Sequence, residues 1–285
     1  MPISGFTNPL SPRGLAEAVE PAPHHISTDC IKVVFRAGED EARAWLAEGL
    51  EPVAGGLGFA WVADMLKVSE QEPDQAFLNP ERTQYGEGAV GWYCRYQGQP
   101  GLFFSSLWVT QDWSMLFGQL MGWPKKVGEV HRTRVSAVNS GMGPVGPGTR
   151  LAGVVHRHGQ RLLRVGVEVE RAEAPADLER GERPADFDGP ISIFMQRYFP
   201  SVGPDIPEVN QLCALRLTGV QTGAVWSGKP FLEFGASDNE ELEALAGVEP
   251  LRAYAYEQGW TTDTKVELLR NLGAAVPAAR AAAEA

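Results

Sequence analysis

The sequence predicts a mostly β (α+β) fold: an antiparallel, barrel-like sheet assembly with a few peripheral helices. Three observations carry this. Segments rich in aromatic and β-branched residues recur at short spacing, helical patterns are few, and no βαβ rhythm of a parallel sheet is present. No linker or internal repeat divides the chain, so a single domain over 28–270 is expected, between an irregular arm (1–27) and an Ala-rich tail (271–285).

The arm is rich in Pro, Ser and Gly and includes His24-His25. Ile31, Val33, Val34 and Phe35 favour a strand at about 30–35. An acidic helix start at Gly38-Glu39-Asp40-Glu41 leads into Ala42–Leu50, where Ala, Leu and Trp45 form one stripe. Strands are expected near 58–68, 88–96 and 102–109, the last two joined by the hairpin signal Gln97-Gly98-Gln99-Pro100-Gly101. A short helix over 111–121 is stopped ahead of Pro124. Strands follow at 127–136, 150–156, 161–171, 190–197, 210–220, 222–234 and 250–260, with a Gly/Pro-rich loop at 139–148 and a short acidic helix over 237–245. The tail from Gly273 reads as frayed helix or disorder.

Composition narrows the function classes. Of 285 residues 44% are hydrophobic, enough for a substantial core. With 25 Lys+Arg against 36 Asp+Glu the formal charge is −11, and no concentrated basic stripe offsets it, so nucleic acid is not an expected partner. No run of about 18 apolar residues is present, so no helical membrane span is expected. The first residues lack a basic start followed by an apolar stretch, and Cys30, Cys94 and Cys213 are three distant cysteines without a CxxC. A cytoplasmic protein with free thiols is the expectation.

Common catalytic motifs do not apply. GxGxxG letters occur at Gly86–Gly91 and Gly141–Gly146, but the first leads into a strand and the second lies in a Pro-rich loop, so neither opens a helix around a dinucleotide. His156 and His158 share a strand face without a third ligand of convincing spacing, which reads as a solvated face. Cys94 sits in an apolar run and reads as core. Neither a metal nor a bound cofactor is expected.

Lysine usage stands apart. Only six of the 25 basic residues are lysine, and two of them are adjacent, in Met121-Gly122-Trp123-Pro124-Lys125-Lys126-Val127-Gly128. A lysine attacks a carbonyl only when neutral, and lowering its pKa from about 10.4 to about 6–7 takes roughly 5 kcal/mol. Burial can supply this, and a neighbouring cation can add to it. Adjacent residues on a strand project to opposite faces, so desolvation should outweigh repulsion between the two ammonium groups. In that register Lys125, Val127, Glu129 and His131 share a face. The competing reading is a turn whose lysines face water.

These residues resemble the aromatic-Pro-Lys-Lys-aliphatic-Gly motif of the acetoacetate decarboxylase family. Val33-Val34-Phe35-Arg36, Leu50-Glu51-Pro52 and Ala224-Val225-Trp226-Ser227-Gly228-Lys229-Pro230 resemble its other segments, so the likeness spans roughly 30–268. The resemblance implies the family's fold, a homo-oligomer, and a Schiff base formed by Lys125 with a keto acid, with Lys126 depressing the Lys125 pKa. It places Glu87, in Tyr85-Gly86-Glu87-Gly88, beside the amine as proton shuttle. Trp123 and Trp108 are candidate pocket walls. Four family charges are missing: an arginine falls at Thr28, an Arg-Glu pair at Gly118-Gln119, and a carboxylate at Ala60, with Asp64 the nearest acid on that strand face. Three functions are therefore carried forward: a decarboxylase-like lyase; a divergent member using the imine for aldol, dehydration or cyclisation chemistry on a larger, natural-product-like substrate of secondary metabolism; and a non-catalytic small-molecule-binding barrel.

Overall fold

The computed structural model describes residues 2–187, 191–200, 207–263 and 265–273. In chain order the elements are β1 (His24–Arg36), α1 (Glu39–Trp45), β2 (Glu51–Pro52), β3 (Leu57–Ser69), α2 (Gln75–Leu78), β4 (Gln84–Tyr96), β5 (Gln99–Val109), α3 (Asp112–Met121), β6 (Lys125–Val127), β7 (Glu129–Arg132), β8 (Arg150–Arg157), β9 (Gln160–Glu173), α4 (Pro175–Glu182), β10 (Ser192–Phe199), β11 (Val209–Leu215), β12 (Thr218–Phe234), β13 (Glu249–Thr262) and β14 (Glu267–Asn271). Short 3₁₀ turns occupy Pro80–Arg82 and Leu242–Leu245.

All strands join one 14-stranded sheet ordered β14-β11-β10-β5-β4-β3-β1-β13-β12-β9-β8-β7, with β2 added on β4 and β6 on β5. The sheet is not closed, but it curls far enough for β7 and β8 to pack against β3 and β4. Alternation along each strand then builds two cores. Ile31, Val33, Val62, Trp92, Trp108, Val155 and Val165 fill the inside of the curl. Val34, Phe59, Ala89, Tyr93 and Leu107 face the other way and are covered by Trp113, Phe117 and Met121 of α3. The same outer face continues through Cys30, Ala63, Met65, Tyr254 and Tyr256, capped by Leu178 of α4.

The β-rich class and the peripheral helices match the sequence reading, and several details correct it. The sheet is mixed, because β5 pairs in parallel with both β6 and β10. The expected strand over 127–136 breaks at Gly128: β6 stays on β5 while β7 pairs with β8, which leaves Glu129 and His131 exposed. β1 begins at His24, inside the expected arm. The expected helix over 237–245 is only the turn at Leu242–Leu245. β14 went unread because Glu-Leu-Leu-Arg-Asn holds no β-branched residue, and α4 because Leu178 is its one buried apolar anchor. Residues 274–285 of the expected tail lie outside the described residues. No helix among the described residues is long and apolar enough to cross a membrane.

Candidate active site

The site lies on the outer face of the sheet, where α3 covers β4, β5 and β6. α3 stops at Gly122, whose φ of 108° is left-handed and whose added Cβ would come within 3.0 Å of the Arg197 backbone nitrogen. Pro124 then holds Trp123 out of the helical region and turns the chain back along β5. In the resulting register Lys125 stands opposite Leu107, and Glu87 of β4 stands opposite Val109 of β5, so both side chains project beneath α3. Gly118 of the helix leaves room for the lysine stem: a Cβ there would lie 2.4 Å from Lys125 Cδ.

Lys125 ends in a closed set of polar partners. Its Nζ is 2.9 Å from Glu87 Oε2, and only 7% of the lysine side chain and 6% of the glutamate side chain remain exposed. It donates to Ser114 Oγ at 3.2 Å and stands 5.1 Å from the Tyr85 ring centroid. The Tyr85 hydroxyl is in hydrogen-bond contact with Ser114 and Lys125, and burial pushes its pKa up to about 12, so it stays protonated.

The amine itself departs from expectation. Burial pushes the Lys125 pKa down, but the charge of the Glu87 carboxylate and the hydrogen bonds to Glu87 and Tyr85 outweigh burial and the net shift is upward. The resting state is therefore an ammonium–carboxylate pair, and a neutral amine arises only when its proton moves to Glu87.

The other predicted residues divide by strand alternation. Lys126 projects to the opposite face, where its Nζ lies 2.5 Å from Glu240 Oε2. Trp108 shares that inner face and donates its indole N–H to Glu240 at 3.3 Å, as does Arg157. Asp64 is also on the inner face, and with Asp29 it holds the guanidinium of Arg132. Lys126, Trp108 and Asp64 are thus not brought to the Lys125 amine, because each is an odd number of positions out of phase with it in the sheet. Trp123 packs against Phe104 with ring centroids 5.1 Å apart. It lines a hollow of about 630 Å³ with Trp45, Gln119, Pro124 and Tyr198. A second, larger cavity of about 860 Å³, lined by Asp29, Asp64, Arg132 and Trp226 among others, reaches the site's neighbourhood at Tyr85.

Sequence reasoning missed Tyr85 and Ser114 as partners of the amine. Tyr85 stood inside the quoted Tyr-Gly-Glu-Gly segment and two residues from Glu87, which on a strand means the same face. Ser114 carried no signal, since its helix could not be placed over the lysine without the turn at Gly122. Among the described residues no group of three or more His, Cys, Asp or Glu is arranged to hold a metal ion.

Comparison with known proteins identifies the family and the fold. No curated protein sequence matches the chain. An acetoacetate decarboxylase-like enzyme from Sphingomonas wittichii RW1 superposes with a TM-score of 0.85 at 30% identity, covering 94% of this chain and 100% of that one. The enduracididine biosynthesis enzyme MppR, in complex with pyruvate, gives 0.82 at 28% identity over 95% of this chain and 99% of that one. MppR is also known with the condensation product of pyruvate and imidazole 4-carboxaldehyde, a structure that matches at 0.80 and 27% over 94% and 97% of the two chains. Acetoacetate decarboxylase from Legionella pneumophila shares the fold at 0.73 and 15% identity, with 95% and 98% coverage. The family profile of acetoacetate decarboxylase (ADC) matches residues 7–272. The chain belongs to the acetoacetate decarboxylase family.

Proposed function

We propose that this protein is an imine-forming enzyme that condenses a small keto acid with Lys125 and uses the imine for aldol-type addition and dehydration. The observation that carries the reading is the buried contact of 2.9 Å between Lys125 Nζ and Glu87 Oε2. An enclosed amine beside one carboxylate and one protonated phenol is the equipment that imine chemistry needs.

Glu87 takes a proton from the Lys125 ammonium, and the freed nitrogen lone pair bonds the carbonyl carbon while the C=O pair moves to oxygen. Glu87 returns its proton to that oxygen. Tyr85 then relays a proton from the cationic nitrogen to this hydroxyl, which leaves as water while the lone pair so freed on nitrogen forms the C=N⁺ bond. The cationic imine then accepts the electron pair released when Glu87 removes a proton from the adjacent carbon. The resulting enamine carbon bonds an aldehyde, whose oxygen takes the proton held by Glu87. Glu87 then removes the second proton from that carbon as the new C–OH bond breaks, the proton and hydroxyl leave as water, and hydrolysis frees the lysine.

Addition and dehydration are preferred to decarboxylation on one ground. MppR, at 27% identity, is a relative seen with a condensation product of pyruvate. Decarboxylation of a β-keto acid is the second reading; it follows from the same imine when the electron pair comes from a breaking C–CO₂⁻ bond.

Borohydride reduction in the presence of pyruvate, followed by peptide mass spectrometry, tests the reading. A reduced adduct on Lys125 is expected. No adduct with any carbonyl compound would leave a binding barrel in which the lysine is structural. Carbon dioxide release from acetoacetate, without product from pyruvate and an aldehyde, would replace the preferred reaction by the second.

A further inference from the structure

Three of the six lysines, Lys32, Lys67 and Lys125, are buried. Lys67 projects from β3 on the face that carries the site, two residues beyond Met65. Its Nζ donates to Glu20 Oε2 at 2.8 Å, and both side chains are almost wholly buried, at 2% and 3% exposure. Glu20 also receives Arg82 at 2.6 Å and Gln75 at 2.9 Å. The Lys67 ammonium stands 5.0 Å from the Trp113 ring and 5.4 Å from the Phe117 ring, both on α3. Trp113 in turn packs edge-on against Tyr85, with centroids 5.2 Å apart, and Tyr85 lies 5.1 Å from Lys125 Nζ. The two ammonium groups therefore flank one aromatic wall and share one covering helix.

Glu20 is shared by two cations, Lys67 and Arg82, with Glu72 beside it on Gln75, and Glu87 faces Lys125. His24, stacked on Phe117, is held neutral by burial and by Lys67, with its pKa pushed down to about 4. Tyr85 is protonated. Lys67 and Lys125 are thus two buried amines facing one wall, where the surrounding protein screens their repulsion poorly.

We propose that Lys67, rather than Lys126, is the positioning residue whose ammonium charge favours loss of the Lys125 proton to Glu87. Both lysines are paired, Lys126 with Glu240 and Lys67 with Glu20; what separates them is that Lys126 is on the other face, whereas Lys67 faces the same wall as Lys125. In agreement, Lys125 is close enough to help push the Lys67 pKa down, along with burial and Arg82. The proposal rests on Lys125 being the reactive amine, but its test does not require an imine.

Competitive acetylation with acetic anhydride at pH 8, read by peptide mass spectrometry, reports the neutral fraction of Lys125 directly. A unit charge acting across a protein interior shifts a neighbouring pKa by about one unit, so Lys67→Met should slow Lys125 acetylation by about tenfold. Lys67→Arg keeps the charge and should stay within about twofold of the parent protein, as should Lys126→Met. Lys67→Gln carries the same expectation as Lys67→Met should the latter fail to fold. Simple loosening of the site would speed acetylation, the opposite sign. An unchanged or faster rate in Lys67→Met or Lys67→Gln, or an equal slowing in Lys126→Met, would overturn the proposal. Keto-acid trapping on Lys125 would stand or fall separately.

Discussion

The two members of the Lys125-Lys126 doublet occupy different worlds although their Cα atoms are neighbours. Lys125 enters the outer core and meets Glu87, Ser114 and Tyr85. Lys126 turns inside the curl and, 38% exposed, closes a cluster of Glu240, Arg157 and Trp108. Both are ion-paired, so pairing alone does not distinguish a reactive lysine from a structural one. What distinguishes them is enclosure: water can replace the carboxylate of Lys126 but not that of Lys125.

The largest effect expected from breaking this contrast is at Lys125. Lys125→Arg should reduce turnover to background while circular dichroism and thermal unfolding stay near the parent, because charge and most of the stem are kept; full activity in this variant would end the nucleophile assignment. Glu87→Gln should cost about 10²–10⁴ in rate, the span of a lost general acid–base. It should also lower the Lys125 pKa, since the charge opposing burial is gone. Faster acetylation together with slower turnover is the signature to seek.

A pH effect should follow from the same face. The His24 pKa is about 4 when folded, held down by burial and by Lys67, against 6.5 when free. The unfolded chain therefore binds this proton more readily, so stability present above about pH 6.5 should be lost as pH falls toward 4. The loss should be about 3 kcal/mol, readable from denaturant midpoints, and it should vanish in His24→Leu. On the opposite face, Glu240→Gln should cost about 1–2 kcal/mol of stability by leaving Lys126, Arg157 and the Trp108 indole poorly satisfied, with turnover changed less than threefold. Lys126→Met should do least of all to the rate.

Much of this contrast was legible beforehand. The doublet, its alternation across the strand and the acid at Glu87 all follow from local pattern, because a strand's period of two needs no tertiary knowledge. Three things were not legible. The raised pKa of Lys125 depends on how close Glu87 comes, which is set by the β4–β5–β6 register and not by either residue's neighbours in sequence. Trp108 and Asp64 could not be assigned a face relative to the lysine until the parallel β5–β6 pairing and the curl of β7 were known. Lys67 and Glu20 meet across 47 positions, so no local pattern reveals their pair, although the scarcity of lysine marked each one as a residue worth placing.

Imine formation at Lys125 exchanges a substrate's carbonyl oxygen with solvent, and that exchange can be followed for pyruvate in ¹⁸O-water by mass spectrometry. The account predicts exchange well above the uncatalysed rate with the parent protein and with Lys126→Met, and none above background with Lys125→Arg. Equal exchange with and without the Lys125 amine would contradict it.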